Sequence, residues 1–212
     1  MLKIMLRQKQ IKNKNSKKTN TIYKKIKKER TLVLLKPDAV ERGLIGEIIS
    51  RFEKCGLKIV GLGLVKPNKK LMDKHYPKTK EWIENLGNNF FRTCEENNLK
   101  IDVKKEFNVN NAYELGLLVR SWLIDYMCSG PIIKIALEGA HAVEIVRKLV
   151  GSTLPYKAQP GTIRGDFSID TPILANLEKR AIKNLIHASG SEEEAEYEIN
   201  LWFTKDELID YN

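Results

Sequence analysis

A ferredoxin-like α/β sandwich of α+β type is the fold this sequence predicts: a βαββαβ order, a four-stranded antiparallel sheet and a helical insertion. Three observations carry that expectation. Four short apolar, β-branched segments are each closed by proline, glycine or a polar turn. Amphipathic helical stretches ending at glycine separate them in two successive β-α-β halves. A long polar and helical excursion lies between the halves, and no internal repeat interrupts the pattern.

The elements follow in order. "RTLVLLKPD" (30–38) is a strand stopped by proline. "AVERGLIGEIISRFEKCG" has apolar residues at 44, 45, 48, 49 and 52 and ends at Gly56, which is helical spacing with a glycine stop. "LKIVGLGLVKP" (57–67) is the second strand. The excursion of about 68–129 combines amphipathic segments such as "NAYELGLLVRSWLIDYM" with a polar middle, and reads as helices joined by an exposed polar segment. "PIIKIALEG" (131–139) is the third strand and "AHAVEIVRKLVG" a helix closed by Gly151. "LPYKAQPGTIRGDFSID" (154–170) holds prolines and glycines that forbid long regular structure, and a loop of that length in a compact domain is often functional. "TPILANLEKRAIK" reads as a helix with Thr171 as cap and Pro172 at its first position. "NLIHAS" is a short fourth strand. "SEEEAEYEINLWF" is a final helix in which Ser191 and Glu194 have capping-box spacing. All helices are expected on one face of the sheet.

Composition narrows the function. The 212 residues suit one well-buried domain. No apolar run approaches the roughly 18 residues of a membrane span, and Met1–Arg30 lacks an apolar core of signal-peptide length, so a cytoplasmic protein is expected. Cys55, Cys94 and Cys128 are odd in number and form no CxxC pair, which points to free thiols. Residues 1–28 hold ten lysines, Arg7 and no acid; subtracting that +11 from the chain's +10 leaves −1 for residues 29–212. The tail is therefore read as a disordered basic extension before a domain at 29–212. It is either a solvated appendage or a salt-sensitive anchor for RNA or anionic surfaces.

Three histidines differ in context. His75 reads as a surface or packing residue and His141 as structural. His187 ends a strand just before a helix whose positive end favours anions. Lys36, Arg147 and Arg164 would add fixed cations, the equipment a polyphosphate demands. Neither GxxxxGK[ST] nor GxGxxG occurs, so a phosphate site here uses another device.

"LKPDAV", "RGLIGEIISRFEKCGLKIVGL", "SGPII", "LEGAHAVEIVRKLVG", "PGTIRGDF", "NLIHASGS" and "EINLWF" occur in an order that closely resembles the nucleoside diphosphate kinase family, over roughly 29–66 and 126–212. The resemblance implies a ping-pong transfer of the terminal phosphate of ATP or another triphosphate to a nucleoside diphosphate, through phosphorylated His187. It implies that Glu198 orients the ring, with Ser189 as a hydrogen-bonding neighbour and Tyr76 supporting the histidine region. It gives Arg147, Thr153 and Arg164 to the phosphates, and Lys36 and Asn184 to ribose and phosphates. Mg2+ would be held mostly by the nucleotide, with no protein metal ligand. A hexamer or tetramer is implied, as is broad base tolerance. There are departures: Gly190 replaces an aspartate, Ala188 is altered in the same turn, and an insertion of about 77–125 rewrites the base platform, for which Trp82 is the nearest aromatic. The family residue near the sugar has no counterpart between Phe167 and Asn184. Two other readings stand beside this one: a catalytically weak member that binds RNA or surfaces through its tail, and a nucleic-acid module.

Overall fold

The computed structural model describes residues 28–211. The sequence reading of 1–28 as a disordered tail falls, but for Lys28, outside the described residues.

Continuous β-branched and leucine runs build the sheet. Strands β1 (Glu29–Leu35), β2 (Lys58–Val65), β3 (Ile132–Gly139) and β4 (Ile186–Ala188) form one sheet in the order β2-β3-β1-β4. All three pairings are antiparallel; in register, Val33 faces Ile135 and Leu34 faces His187. Helices α1 (Pro37–Glu41) and α2 (Ile45–Lys54) separate β1 from β2. The excursion folds as α3 (Lys69–His75), α4 (Lys80–Glu96), α5 (Val103–Phe107) and α6 (Ala112–Cys128). Helix α7 (Ala142–Val150) follows β3. Then come α8 (Ile163–Phe167), α9 (Pro172–Leu177) and, after β4, α10 (Glu192–Trp202).

The helices do not lie on one face, as expected, but on both. Val33 and Leu35 join Ile48 and Phe52 of α2 and Val146 and Val150 of α7 in one core. Leu32 and Leu34, pointing the other way, join Met72 of α3, Ile124 and Met127 of α6, and Ile199 and Trp202 of α10. The signal was in β1 itself: five consecutive buried residues, without hydrophobic-polar alternation, mark a strand covered twice.

Within the excursion, α4 and α6 cross closely because each supplies a glycine at the contact. A Cβ on Gly87 would lie 1.9 Å from the Ala112 carbonyl oxygen, and one on Gly116 would lie 1.9 Å from that of Ile83. Phe90, Cys94 and Leu115 form a separate small core there. The polar middle of the excursion, read as a plain connection, contains the short helix α5, capped by Asp102.

One helix end and one cap differ from the sequence reading. The segment after Thr171, whose hydroxyl does cap α9, stops at Leu177 rather than running to Lys183; Lys179 takes a positive φ of 54°. The capping box at Ser191 is only half made. The Ser191 hydroxyl accepts from the Glu194 N–H, but the Glu194 carboxylate reaches back one residue further, to the Gly190 N–H at 2.9 Å.

Candidate active site

β4 and the turn before it carry the site. Leu185 sits at φ 68°, a conformation that costs a branched residue energy. It is held there from both sides: its N–H donates to Asp38 Oδ2 (3.1 Å) and its carbonyl accepts from the Lys36 N–H (2.8 Å). That clamp aims Asn184 and His187 into one cavity of about 820 Å³, lined among others by Lys36, Tyr76, Arg147, Thr153 and Arg164. Asp38 was missed in sequence; its only signal was an acid directly after a strand-ending proline.

The cations are fixed by different means. Lys36 is buried and donates to Asn184 Oδ1 at 2.7 Å. Asn184 in turn donates to the Thr153 carbonyl at 2.9 Å, so one amide ties the strand end to the turn that follows α7. Arg164, expected in a loop, lies on the short helix α8 capped by Thr162. Its guanidinium donates to three carbonyls, those of Asn184 (3.2 Å), Gly151 (2.9 Å) and Ile186 (2.6 Å). Arg147, in the last turn of α7, stays exposed. Burial and the nearby Arg164 charge lower the Lys36 ammonium to about 7, while Asp38 opposes the shift. Burial and Arg147 lower Arg164 to about 10, so it remains charged at neutral pH.

The histidine is bound from behind. His187 Nε2 lies 2.7 Å from Glu198 Oε1, and Ser189 donates to Glu198 Oε2 at 2.6 Å. The His187 side chain is 21% exposed and that of Glu198 only 3%, so the ring shows an edge to the cavity while the carboxylate is sealed. Burial, then Lys36, with smaller pushes from Arg164 and Arg147, lower the imidazole to about 3, while Glu194 opposes them. Burial raises Glu198. A neutral ring whose Nε2–H meets a carboxylate leaves its Nδ1 lone pair free. The N-terminus of α10 is not the open anion seat the sequence suggested, because Ser191 and Glu194 already cap it. Side-chain cations make the cradle instead.

His75 is not at the surface. It is buried, its ring is perpendicular to that of His187 with centroids 4.6 Å apart, and Trp202 Nε1 donates to its Nδ1 at 3.3 Å. Tyr76 lines the cavity with its ring edge-on to His75 (5.1 Å), and burial raises its hydroxyl. His141 is exposed at the α7 N-cap with φ 53°. Trp82, the sequence candidate for stacking on a base, stacks on Tyr76 instead (6.1 Å, 28°), while Leu86 and Phe90 of α4 line the cavity.

Among the described residues, His75, His187 and Glu198 bring ligand-type atoms within 4.8 Å of one another. The contacts are those of hydrogen bonds: Glu198 Oε1 lies 2.7 Å from His187 Nε2, and Trp202 donates to the His75 Nδ1 lone pair. A hard cation finds little here. Both Asp38 oxygens accept backbone N–H groups, and the Glu194 carboxylate accepts the Gly190 N–H. That suits an ion whose oxygens come from a nucleotide and water rather than from a protein cage.

A neutral, carboxylate-backed histidine facing fixed cations in one cavity defines a site built for phosphate chemistry. The chain belongs to the nucleoside diphosphate kinase family, whose model, "Nucleoside diphosphate kinase", matches residues 29–97 and 117–208. A nucleoside diphosphate kinase of Pyrobaculum aerophilum is 50% identical over 182 residues, which is 86% of this chain and 98% of that protein. One of Pyrococcus abyssi is 42% identical over 184 residues, 87% of this chain and 89% of that protein. The crystal structure of an NDP kinase from Pyrobaculum aerophilum superposes with a TM-score of 0.83 at 47% identity, covering 87% of this chain and all of that one. A transition-state mimic of nucleoside-diphosphate kinase from Borrelia burgdorferi with bound vanadate and ADP superposes at 0.67, 34% identical, over 87% of this chain and 92% of that one. No helix among the described residues is long and apolar enough to cross a membrane.

Proposed function

We propose that this chain is a nucleoside diphosphate kinase that moves the terminal phosphoryl group of a nucleoside triphosphate to a nucleoside diphosphate by way of His187. The observation that carries the reading is the 2.7 Å contact of Glu198 with Nε2, which leaves Nδ1 as the nucleophile. The Nδ1 lone pair attacks the terminal phosphorus. An N–P bond forms, the bridging P–O bond breaks, and its electron pair leaves on the diphosphate. The ring acquires positive character, which Glu198 stabilises across the retained Nε2–H. A second diphosphate reverses the steps.

Arg147, Arg164 and Lys36 grip the phosphate oxygens, Thr153 and Asn184 shape the turn that meets phosphate and ribose, and Tyr76 supports the ring from the side. Mg2+, held by the nucleotide's own phosphate oxygens, would neutralise part of the phosphate charge. Leu86 and Phe90 offer the base an apolar wall rather than hydrogen bonds, which fits broad base tolerance. The domain spans 29–212 with an insertion of about 77–125, and the enzyme works in the cytoplasm as a hexamer or tetramer. Self-association is supported by Leu62 and Leu64, 55% and 65% exposed on the edge strand β2. The basic tail gives a weak hold on RNA or anionic surfaces.

The test is incubation with γ-labelled ATP followed by a diphosphate chase. Label must appear on the protein, leave on addition of a diphosphate, and be absent from His187→Ala. Labelled, folded His187→Ala protein would overturn the assignment.

A further inference from the structure

Behind the reacting histidine lies a second one that the mechanism above does not use. His75 ends α3, and its side chain is only 1% exposed. It stands between two groups with opposite needs. On one side is Trp202, whose indole N–H can only donate and which is itself buried. On the other is Glu198 Oε1, which accepts from His187 and lies 3.3 Å from His75 Nδ1. Trp202 Nε1 donates to that same Nδ1 at 3.3 Å. An Nδ1 that accepts carries no proton, so His75 holds its own proton on Nε2 and offers none to Glu198. Burial also holds the ring neutral, lowering it to about 3 against the pull of Glu198. The perpendicular contact of 4.6 Å with His187, and of 5.7 Å with Trp202, completes a column of three rings.

We infer that His75 is a positioning residue: by accepting the Trp202 proton it reserves Glu198 Oε1 for His187 Nε2–H, and so keeps His187 Nδ1 in the nucleophilic form. Trp202 Nε1 and Glu198 Oε1 both lie 3.3 Å from the His75 Nδ1, so a buried indole N–H that loses its acceptor competes for the oxygen His187 depends on. Competition for Oε1 frees the His187 ring to exchange tautomers and to tilt, and a nucleophile displaced by about 1 Å loses on the order of a hundredfold in rate. This rests on the reading of His187 as nucleophile, but the structural half can be tested without nucleotide.

The experiment uses three variants of the full-length protein: His75→Phe, which removes the acceptor; His75→Asn, whose Oδ1 replaces it; and His75→Phe with Trp202→Phe, which removes the donor too. Ring 15N shifts of His187 in the nucleotide-free protein report its tautomer, and rapid-quench labelling reports the phosphorylation rate and nucleotide Kd. The expected pattern is a single Nε2–H tautomer in the parent and in His75→Asn, with rates within about threefold. In His75→Phe the tautomers mix and phosphorylation slows about 10–100-fold at unchanged Kd; the double variant regains the single tautomer and most of the rate. A His187 that keeps one tautomer in His75→Phe overturns the inference. So does a His75→Asn as impaired as His75→Phe, or a double variant no better than the single one. Failure of the nucleophile assignment is separate, since it appears as label on His187→Ala whatever the tautomer data show.

Discussion

At Lys36, burial and phosphate chemistry pull in opposite directions. The ammonium is lowered to about 7 in the nucleotide-free protein, so near pH 8 it is largely neutral. A phosphate at the Arg164 end of the cavity favours the charged form and raises that value again. Nucleotide binding at pH 8 therefore takes up a proton, approaching one per site, and at pH 6 it takes up almost none. Affinity weakens as pH rises above about 7. Titration calorimetry in two buffers of different ionisation enthalpy measures the uptake; none at pH 8 contradicts the assignment of Lys36 to the phosphates. The buried histidines leave a second trace. His75 and His187 are lowered to about 3, below the 6.5 of an unfolded chain. Between those values the unfolded chain binds more protons than the folded one. Their contribution to stability is full above about pH 6.5 and is lost as pH falls towards 3, at up to about 1.4 kcal/mol per pH unit for each ring. His75→Asn should flatten that acid slope in denaturant titrations, and an unchanged slope would show that His75 already ionises in the fold. Most of the residues that now meet in the cavity were legible because short motifs carried them: Lys36, Arg147, Thr153, Arg164, Asn184 and His187 line one space. His75 and Asp38 were not, since a lone histidine beside a tyrosine and an acid after a proline look like ordinary surface residues until tertiary contacts bury them.

Among the elements, the strands were the most readable, because apolar runs bounded by proline and glycine leave few alternatives. The α4–α6 hairpin was less so. Its crossing depends on two glycines that carry no pattern in sequence, yet they decide how near the helices lie and where Leu86 and Phe90 stand on the cavity wall. Gly87→Ala or Gly116→Ala drives a methyl into a carbonyl oxygen, so the helices must part. We expect each to lower unfolding free energy by about 1–3 kcal/mol and to weaken nucleotide binding more than it slows phosphorylation of bound enzyme. Chemical denaturation and rapid quench separate the two effects; an alanine variant of unchanged stability would mean that the helices are held elsewhere. The short β4 and the truncated α9 were misjudged at their ends for a common reason: Leu185 and Lys179 adopt positive φ, which composition alone does not announce.

For the molecule as a whole, charge and shape divide the labour. Residues 29–212 are close to neutral while residues 1–28 carry +11. Deleting residues 1–28 should leave phosphoryl transfer within about twofold and abolish any salt-sensitive nucleic-acid binding; activity lost with the tail would show that it belongs to the catalytic assembly. The edge of the sheet makes the other global prediction. Leu64→Lys, on an exposed strand edge, should shift sedimentation towards smaller species without unfolding the protomer. Retention of the parent's assembly would locate the interface elsewhere. The proposed phosphoryl transfer turns on a single atom. Phosphorus NMR with ring 15N labelling of the protein after reaction with ATP identifies which nitrogen of His187 carries the phosphoryl group. The geometry predicts Nδ1, with the proton kept on Nε2 against Glu198; phosphate found on Nε2 would contradict it.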